Sequence, residues 1–249
     1  MKIIISPAKK MVVNPDNIVE ITRPQYFEQT QTILKTLRQL SYPDLKTLWH
    51  CSEQLARKNY QQLQQIDLTK QLTPALFAYS GIQYQYMAPD LFTGPAFNYA
   101  QQHLRILSGF YGVLRPFDGV VPYRLEMQAK LSVANSQNLY AFWQQRLYDA
   151  VAAADEPIIN LASQEYSKCI AKYTTSPKQM IEVVFGQLVD GKIKTRATLA
   201  KMARGQMVRF MAENNVQDLE TLQTFNDLNY QYQPELSTEN KLVFLNSAD

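Results

Sequence analysis

The chain has 249 residues, of which 46% are hydrophobic and 19% are charged, and its formal net charge is +3. This composition is typical of a folded globular protein, and the absence of any apolar run of about 18 residues excludes a membrane-spanning helix. The small positive charge permits a nucleic acid or another anion as a partner without requiring one.

Location and metal content are predicted from the N-terminus and from the rarest residues. The apolar stretch within Met1–Lys10 is shorter than the core of a signal peptide, which needs about seven residues. The two cysteines, Cys51 and Cys169, show no CxxC spacing, and the chain has two histidines. We therefore expect a cytoplasmic protein without a metal site or a bound cofactor.

The first predicted element is a buried strand at Lys2–Ser6, because a short β-branched run ends there at Pro7. Such strands belong to α/β sheets that helices cover on both faces. Ligands collect at the carboxyl edge of these sheets, which makes Lys9 and Lys10 candidate phosphate contacts. The alternative is that they are ordinary exposed loop lysines.

Two helices are predicted to follow the first strand. Apolar residues from Gln25 to Leu40 recur at helical spacing, and a second helix fits Asp44–Leu63. A break at Arg57–Asn59 is the alternative for the second of them.

The segment Gln101–Met127 places many ionisable groups in an apolar run that begins with a predicted strand, Leu104–Leu107. Unpaired buried charges are costly, so these groups must pair with one another or meet an anionic ligand. Both alternatives stay open, and a mixture would let an acid orient an arginine whose planar fork faces the ligand. The candidates are Arg105, Ser108, Arg115, Asp118, Arg124 and Glu126.

A second strand-to-helix junction is predicted after a helix at Asn138–Ala154. Pro157–Ala162 has the pattern of a buried strand, and Ser163 precedes a helix over Glu165–Ala171. Backbone N–H groups at such a helix start attract anions, although Ser163 is equally suited to a simple N-cap. Glu165 and Lys168, three residues apart, belong to the site or form a surface pair.

The last third contains a hairpin, a long helix and a final strand. Asp190-Gly191 joins two strand-like runs, Met180–Val189 and Lys192–Thr198, and is the strongest hairpin signal in the chain. Thr198–Glu213 is an amphipathic helix, and Lys241–Asn246 resembles a strand. Between positions 192 and 209 there are six basic residues and no acid, namely Lys192, Lys194, Arg196, Lys201, Arg204 and Arg209. They form either an anion-facing surface or a solvated helix face.

These elements predict one domain over residues 1–249, with a mixed β-sheet flanked by helices. Together they resemble the YaaA peroxide-stress family, in the same order over nearly the whole chain. The matching motifs are Ile4-Ser6-Pro7-Ala8-Lys9, the block Gln101–Met127, Asn160–Ser163 with Glu165-Tyr166 and Lys168, and Ala203-Arg204-Gly205 with Met207, Arg209, Phe210 and Glu213-Asn214.

The resemblance implies a cytosolic protein that protects against hydrogen peroxide by limiting damage from free iron. It also implies an α/β fold with a positively charged cleft, a helix-hairpin-helix-like element and DNA binding. Double-stranded DNA or another phosphate-bearing ligand is then the expected partner. The expected contacts are Lys9, Arg105, Arg115, Arg124, Lys168, Lys201, Arg204 and Arg209, with Ser108, Asp118, Glu126, Ser163 and Glu165 in supporting or acid–base roles.

The chain departs from the family pattern at the expected hairpin. Helix-hairpin-helix elements usually turn on glycine, and Leu55–Asn59 has none, so only Asn59 is suited to the left-handed conformation. A non-enzymatic DNA-binding role is favoured. The alternative is an enzyme acting on a nucleotide or nucleobase-like anion in the same cleft, because DNA-facing surfaces seldom need so many acids among the cations.

Overall fold

The computed structural model describes residues 1–14, 19–152 and 156–246. The strands are β1 (Lys2–Ile5), β2 (Lys10–Met11), β3 (Thr73–Pro74), β4 (Tyr79–Ser80), β5 (Leu104–Ser108), β6 (Gly112–Leu114), β7 (Gly119–Val120), β8 (Ile158–Leu161), β9 (Met180–Val189), β10 (Lys192–Lys194), β11 (Tyr230–Tyr232) and β12 (Lys241–Asn246). The helices are α1 (Phe27–Gln39), α2 (Tyr42–Trp49), α3 (Glu53–Gln65), α4 (Ala75–Ala78), α5 (Ile82–Met87), α6 (Gly94–His103), α7 (Leu139–Trp143), α8 (Arg146–Asp149), α9 (Gln164–Ala171), α10 (Ala197–Glu213) and α11 (Leu219–Gln223). None of the helices in these ranges is both long and apolar enough to cross a membrane.

One mixed sheet organises the fold. Within the described ranges its strand order is β11-β12-β9-β8-β1-β5-β6, and β10 pairs with β9 outside this order. Strand β1 is central, parallel to both β5 and β8, and β9 and β12 continue the parallel set. Strands β6 and β11 are antiparallel additions. The predicted α/β fold with a mixed sheet is confirmed.

The first strand is as buried as its sequence predicts. Ile3, Ile4 and Ile5 are each 0% exposed. Because successive side chains of a strand point to opposite faces, complete burial of all three means that both faces of the sheet are covered here.

The predicted hairpin is also confirmed. Val189 pairs with Lys192 across a two-residue turn, and both turn residues have positive φ, 53° for Asp190 and 71° for Gly191. This is the turn geometry whose twist matches that of two antiparallel strands.

The single helix predicted over Asp44–Leu63 is wrong, and so is the alternative break at Arg57–Asn59. The chain forms α2 and α3, separated at His50, which has a left-handed conformation with φ 44°. Ser52 then caps α3 by accepting a hydrogen bond from the Leu55 backbone N–H. A capping serine satisfies helix-end donors that an uninterrupted helix would not expose. The helical hairpin thus turns on histidine, and Asn59 lies inside α3.

The helix predicted over Asn138–Ala154 is interrupted as well. Helix α7 ends at Trp143, because the φ of 48° and ψ of −139° at the next residue, Gln144, do not continue a helix. Helix α8 then covers Arg146–Asp149, and residues 153–155 lie outside the described ranges. Periodicity of apolar residues predicts which residues face the core but not where the backbone turns.

Helix α10 packs against α5, α6 and β9. Its Gly205 crosses α5 so closely that a Cβ there would lie 2.1 Å from the Gln83 carbonyl oxygen. Glycine is therefore required at position 205 for the two helices to approach each other so closely. This close approach brings Gln83 and Arg204 to one surface.

Candidate functional site

The site begins where two neighbouring parallel strands end. Ile5 of β1 is paired with Leu161 of β8, so the residues that follow them meet at the same edge of the sheet. The Ser6 hydroxyl donates to the Ser163 hydroxyl oxygen at 3.1 Å and accepts from the Ser163 backbone N–H at 2.8 Å. Ser163 precedes α9, but its side chain caps no backbone N–H; its hydroxyl is instead paired with Ser6.

A cleft of about 580 Å³ opens at this edge. The loop after β1, the segment before α5, the end of the Gln101–Met127 block, the start of α9 and one side of α10 line it. Of the predicted site residues it contains Lys9, Arg124, Glu126, Ser163, Glu165, Lys201 and Arg204.

One carboxylate in the cleft serves two cations. Glu126 Oε1 accepts from Lys9 Nζ at 2.9 Å and from Arg124 Nη2 at 3.2 Å. Only 11% of the Arg124 side chain is exposed, so its charge is held largely out of water. Two positive charges against one negative charge leave this group of three with a net charge of +1.

Glu165 is the other acid of the cleft. Its Oε1 accepts from the Gln128 backbone N–H at 3.2 Å. Loss of solvation through burial raises the pKa of this carboxyl, and the nearby charge of Glu126 raises it further, while backbone N–H groups and Lys9 oppose the change. A carboxyl in such surroundings is suited to hold and release a proton closer to neutral pH than an exposed glutamate.

The wall formed by α10 and α5 carries buried donors without partners. Among the described residues, Arg204 Nε and Gln83 Nε2 have no hydrogen-bond partner although both atoms are buried. Gln83 is 7% exposed, and burial lowers the pKa of the Arg204 guanidinium, with Glu182 opposing the change. Buried N–H groups are normally paired, and both residues line the cleft.

Behind the cleft, three hydroxyl groups form a chain. The Tyr123 hydroxyl lies 2.7 Å from Ser108 Oγ and 2.9 Å from the Tyr79 hydroxyl. Burial raises the pKa of Tyr123 to about 12, so this chain is neutral at physiological pH. Tyr123 lines the cleft, whereas Ser108 is fully buried and lies behind it.

The other predicted contacts have partners elsewhere. Arg105 donates to the carbonyl oxygens of Gln101 and Leu104. Arg209 pairs with Glu213 at 2.8 Å, and Lys168 lies over the Tyr140 ring, 4.1 Å from its centroid, in a separate cavity.

Arg115 and Asp118 form a structural pair outside the cleft. Arg115 donates to Asp118 Oδ1 through Nη2 at 3.0 Å and to Oδ2 through its backbone N–H at 2.8 Å. The Thr22 hydroxyl adds a bond of 2.7 Å to the same carboxylate, whose side chain is 1% exposed. The arginines of the block Gln101–Met127 that lie outside the cleft are therefore held by partners within the block, and the block lines the cleft at Tyr123–Glu126.

Sequence reasoning missed part of the lining. Gln83, Tyr84 and Tyr166 also line the cleft, and the Tyr84 hydroxyl donates to the Ser6 carbonyl oxygen at 3.0 Å. The available signal for Gln83 was a polar amide between Ile82 and Tyr84, which is too common to indicate a site.

A family model described as peroxide stress protein YaaA matches residues 1–236. A UPF0246 protein of Lactiplantibacillus plantarum is 59% identical over 245 residues, which cover 98% of this chain and 99% of that protein. UPF0246 proteins of Pediococcus pentosaceus and Agathobacter rectalis are 54% and 48% identical, each over 98% of both chains.

Proposed function

Because the chain belongs to the YaaA peroxide stress protein family, we propose that it protects cells from hydrogen peroxide by binding duplex DNA in its cleft. The phosphates of the DNA are the groups it contacts. DNA held in this way is shielded from radicals that free iron generates, which limits the damage without iron storage by the protein. A cytoplasmic location fits this role.

The observation that carries the proposal is the pair of buried donors, Arg204 Nε and Gln83 Nε2, in a cleft rich in cations. A phosphate has only acceptor oxygens, and arginine offers it a planar fork of donors. Each phosphate oxygen that reaches these groups removes the cost of a buried donor without a partner.

The charge of the lining supports the same ligand. The cationic side chains outnumber the acidic ones, with Lys9, Lys10, Arg124, Lys201 and Arg204 against Glu126 and Glu165. A concave surface of one dominant sign attracts a polyanion, and each neutralised phosphate releases a counterion.

Lys201→Gln tests the cleft as the DNA site. Lys201 is exposed, so the fold should tolerate the change. We expect weaker binding to duplexes of every sequence, and a slope of log K against log salt that is shallower by about one unit. Fluorescence anisotropy with a labelled duplex at several salt concentrations measures both.

The matched control is Lys168→Gln, because Lys168 is also exposed and lies over Tyr140 outside the cleft. We expect its slope to equal that of the wild type. Equal losses of affinity and slope in the two variants would contradict DNA binding in the cleft.

A second candidate function is catalysis on a nucleotide or nucleobase-like anion in the same cleft. The raised pKa of Glu165 favours it, as does the paired Ser6 and Ser163 hydroxyl group close to the start of α9. An acid–base residue beside cations that hold an anion is an arrangement found in enzyme sites.

Glu165→Gln tests the raised pKa. A carboxyl whose folded pKa is raised keeps its proton in the native state when the unfolded chain has released it, so stability falls as pH rises from 4.5, the ordinary pKa, through the folded pKa. Glutamine does not titrate. We therefore expect the Tm of Glu165→Gln, relative to that of the wild type, to rise across this window and to level off above it.

Thermal denaturation from about pH 4 to about pH 8 measures the effect. A constant difference between Glu165→Gln and the wild type would contradict the raised pKa. Turnover of any nucleotide by the wild type, lost in Glu165→Gln, would favour the second candidate function.

A further inference from the structure

A second, much smaller cavity shares Tyr123 and Arg124 with the cleft. Its volume is about 10 Å³, close to the space that one water-sized particle needs. Apolar side chains, among them Leu37, Leu63 and Phe110, form much of its wall. The cavity is too small for a phosphate group or a nucleotide.

Among the polar side chains that line this cavity, three have a buried N–H donor without a partner among the described residues. They are Trp49 Nε1, Asn59 Nδ2 and Arg124 Nε. Trp49 is 4% exposed, at the end of α2, while Asn59 lies in α3. Buried donors are rarely left unpaired, and three at one cavity indicate a common acceptor.

We propose that the cavity binds a single monovalent anion of halide size. A halide accepts hydrogen bonds from all sides and donates none, which matches a site of three N–H groups. A water molecule would have to place two hydrogens of its own. It also accepts only two hydrogen bonds, so it would leave one of the three donors unpaired.

The charge around Arg124 also favours an anion. Arg124 is 11% exposed, and its carboxylate partner Glu126 is shared with Lys9. Part of the arginine charge is therefore uncompensated, and burial without a counterion is unfavourable. An anion at Arg124 Nε supplies the missing charge.

The anion fixes the position of Arg124. Its Nε is held towards the small cavity, while Nη2 bonds to Glu126 in the cleft. One ion thus links α2, α3 and the cleft wall, and sets the orientation of a guanidinium group. This role does not depend on what the cleft itself binds.

Bromide is the probe for this site. In crystals of the wild-type chain grown in sodium bromide, we expect an anomalous peak within hydrogen-bond distance of Trp49 Nε1, Asn59 Nδ2 and Arg124 Nε. In solution, we expect a Tm higher by about 3–6 °C in bromide than in gluconate at equal ionic strength, when bromide is at about ten times its dissociation constant. Gluconate is too large for the cavity.

Trp49→Phe keeps an aromatic ring but removes the donor, and should lose most of this bromide-dependent difference in Tm. The matched control is Trp143→Phe, because Trp143 Nε1 donates to the Gly109 carbonyl oxygen at 3.0 Å and Trp143 is not one of the residues that line the cavity. This variant should have a lower Tm in both salts, but the difference between its Tm in bromide and its Tm in gluconate should equal that of the wild type. The proposal would be overturned if no anomalous peak is found at the cavity. It would also be overturned if both variants lose the bromide-dependent difference in Tm to the same extent.

Discussion

Gly205→Ala is expected to lower the free energy of unfolding by about 3 kcal/mol, because overpacking a tight contact costs more than alanine gains in helix propensity. The new Cβ would lie 2.1 Å from the Gln83 carbonyl oxygen and 2.9 Å from the Met87 backbone nitrogen. Both are backbone atoms of α5 or its end, so a side-chain rotation cannot relieve the clash. Urea denaturation measures the loss.

The displaced helix should also impair the cleft. Gln83 lies in α5 and Arg204 precedes Gly205 in α10, so separating the two helices moves both buried donors. Gly94→Ala is the control, since a Cβ at Gly94 meets nothing within 4 Å, and it should leave stability within about 0.5 kcal/mol of the wild type. Similar stabilities for the two variants would contradict the close helix approach.

Asp118→Ala is expected to lower the free energy of unfolding by about 3 kcal/mol. This is at the lower end of the range for breaking a buried ion pair, because Arg115 is 43% exposed. The change removes an acceptor from three donors: the Thr22 hydroxyl, the Arg115 backbone N–H and the Arg115 guanidinium. Donors left unpaired in a buried position account for most of the cost.

Asp90→Ala is the matched control for this carboxylate, because Asp90 is exposed and surface changes usually stay within about 0.5 kcal/mol. Chemical denaturation of both variants separates the two cases. A loss at Asp118 no greater than that at Asp90 would show that the Gln101–Met127 block does not depend on this pair. Since the pair lies outside the cleft, the fraction of the Asp118→Ala variant that remains folded should still bind DNA.

Much of the sheet could be predicted from the sequence. Lys2–Ile5, Leu104–Ser108 and Ile158–Leu161 are short apolar, β-branched runs between turn residues, a pattern that strands buried on both faces require. The hairpin at Asp190-Gly191 was equally predictable, because few residue pairs accept positive φ twice.

The helix boundaries were less predictable. His50 and Gln144 interrupt predicted helices with positive φ, and neither residue type signals such a break. At Ser52 the sequence does contain a signal, a serine immediately before glutamate, which is a suitable N-cap. Apolar periodicity on both sides of the break hides it.

The composition of the site depends on topology. The order β8-β1-β5 brings Ser6 and Ser163 together from positions 157 residues apart, and parallel neighbours make this predictable in outline. The sequence does not predict which arginines reach the cleft, because Arg105 and Arg115 have the same chemistry as Arg124. Only the structure shows their carbonyl and carboxylate partners.

The salt dependence of duplex binding by the wild-type chain tests the central proposal most directly. If the cleft cations neutralise phosphates, log K should fall linearly with log salt, with a slope of about −0.9 for each phosphate and at least about −2 in total. A slope near zero, or no binding at low salt, would contradict DNA binding in the cleft.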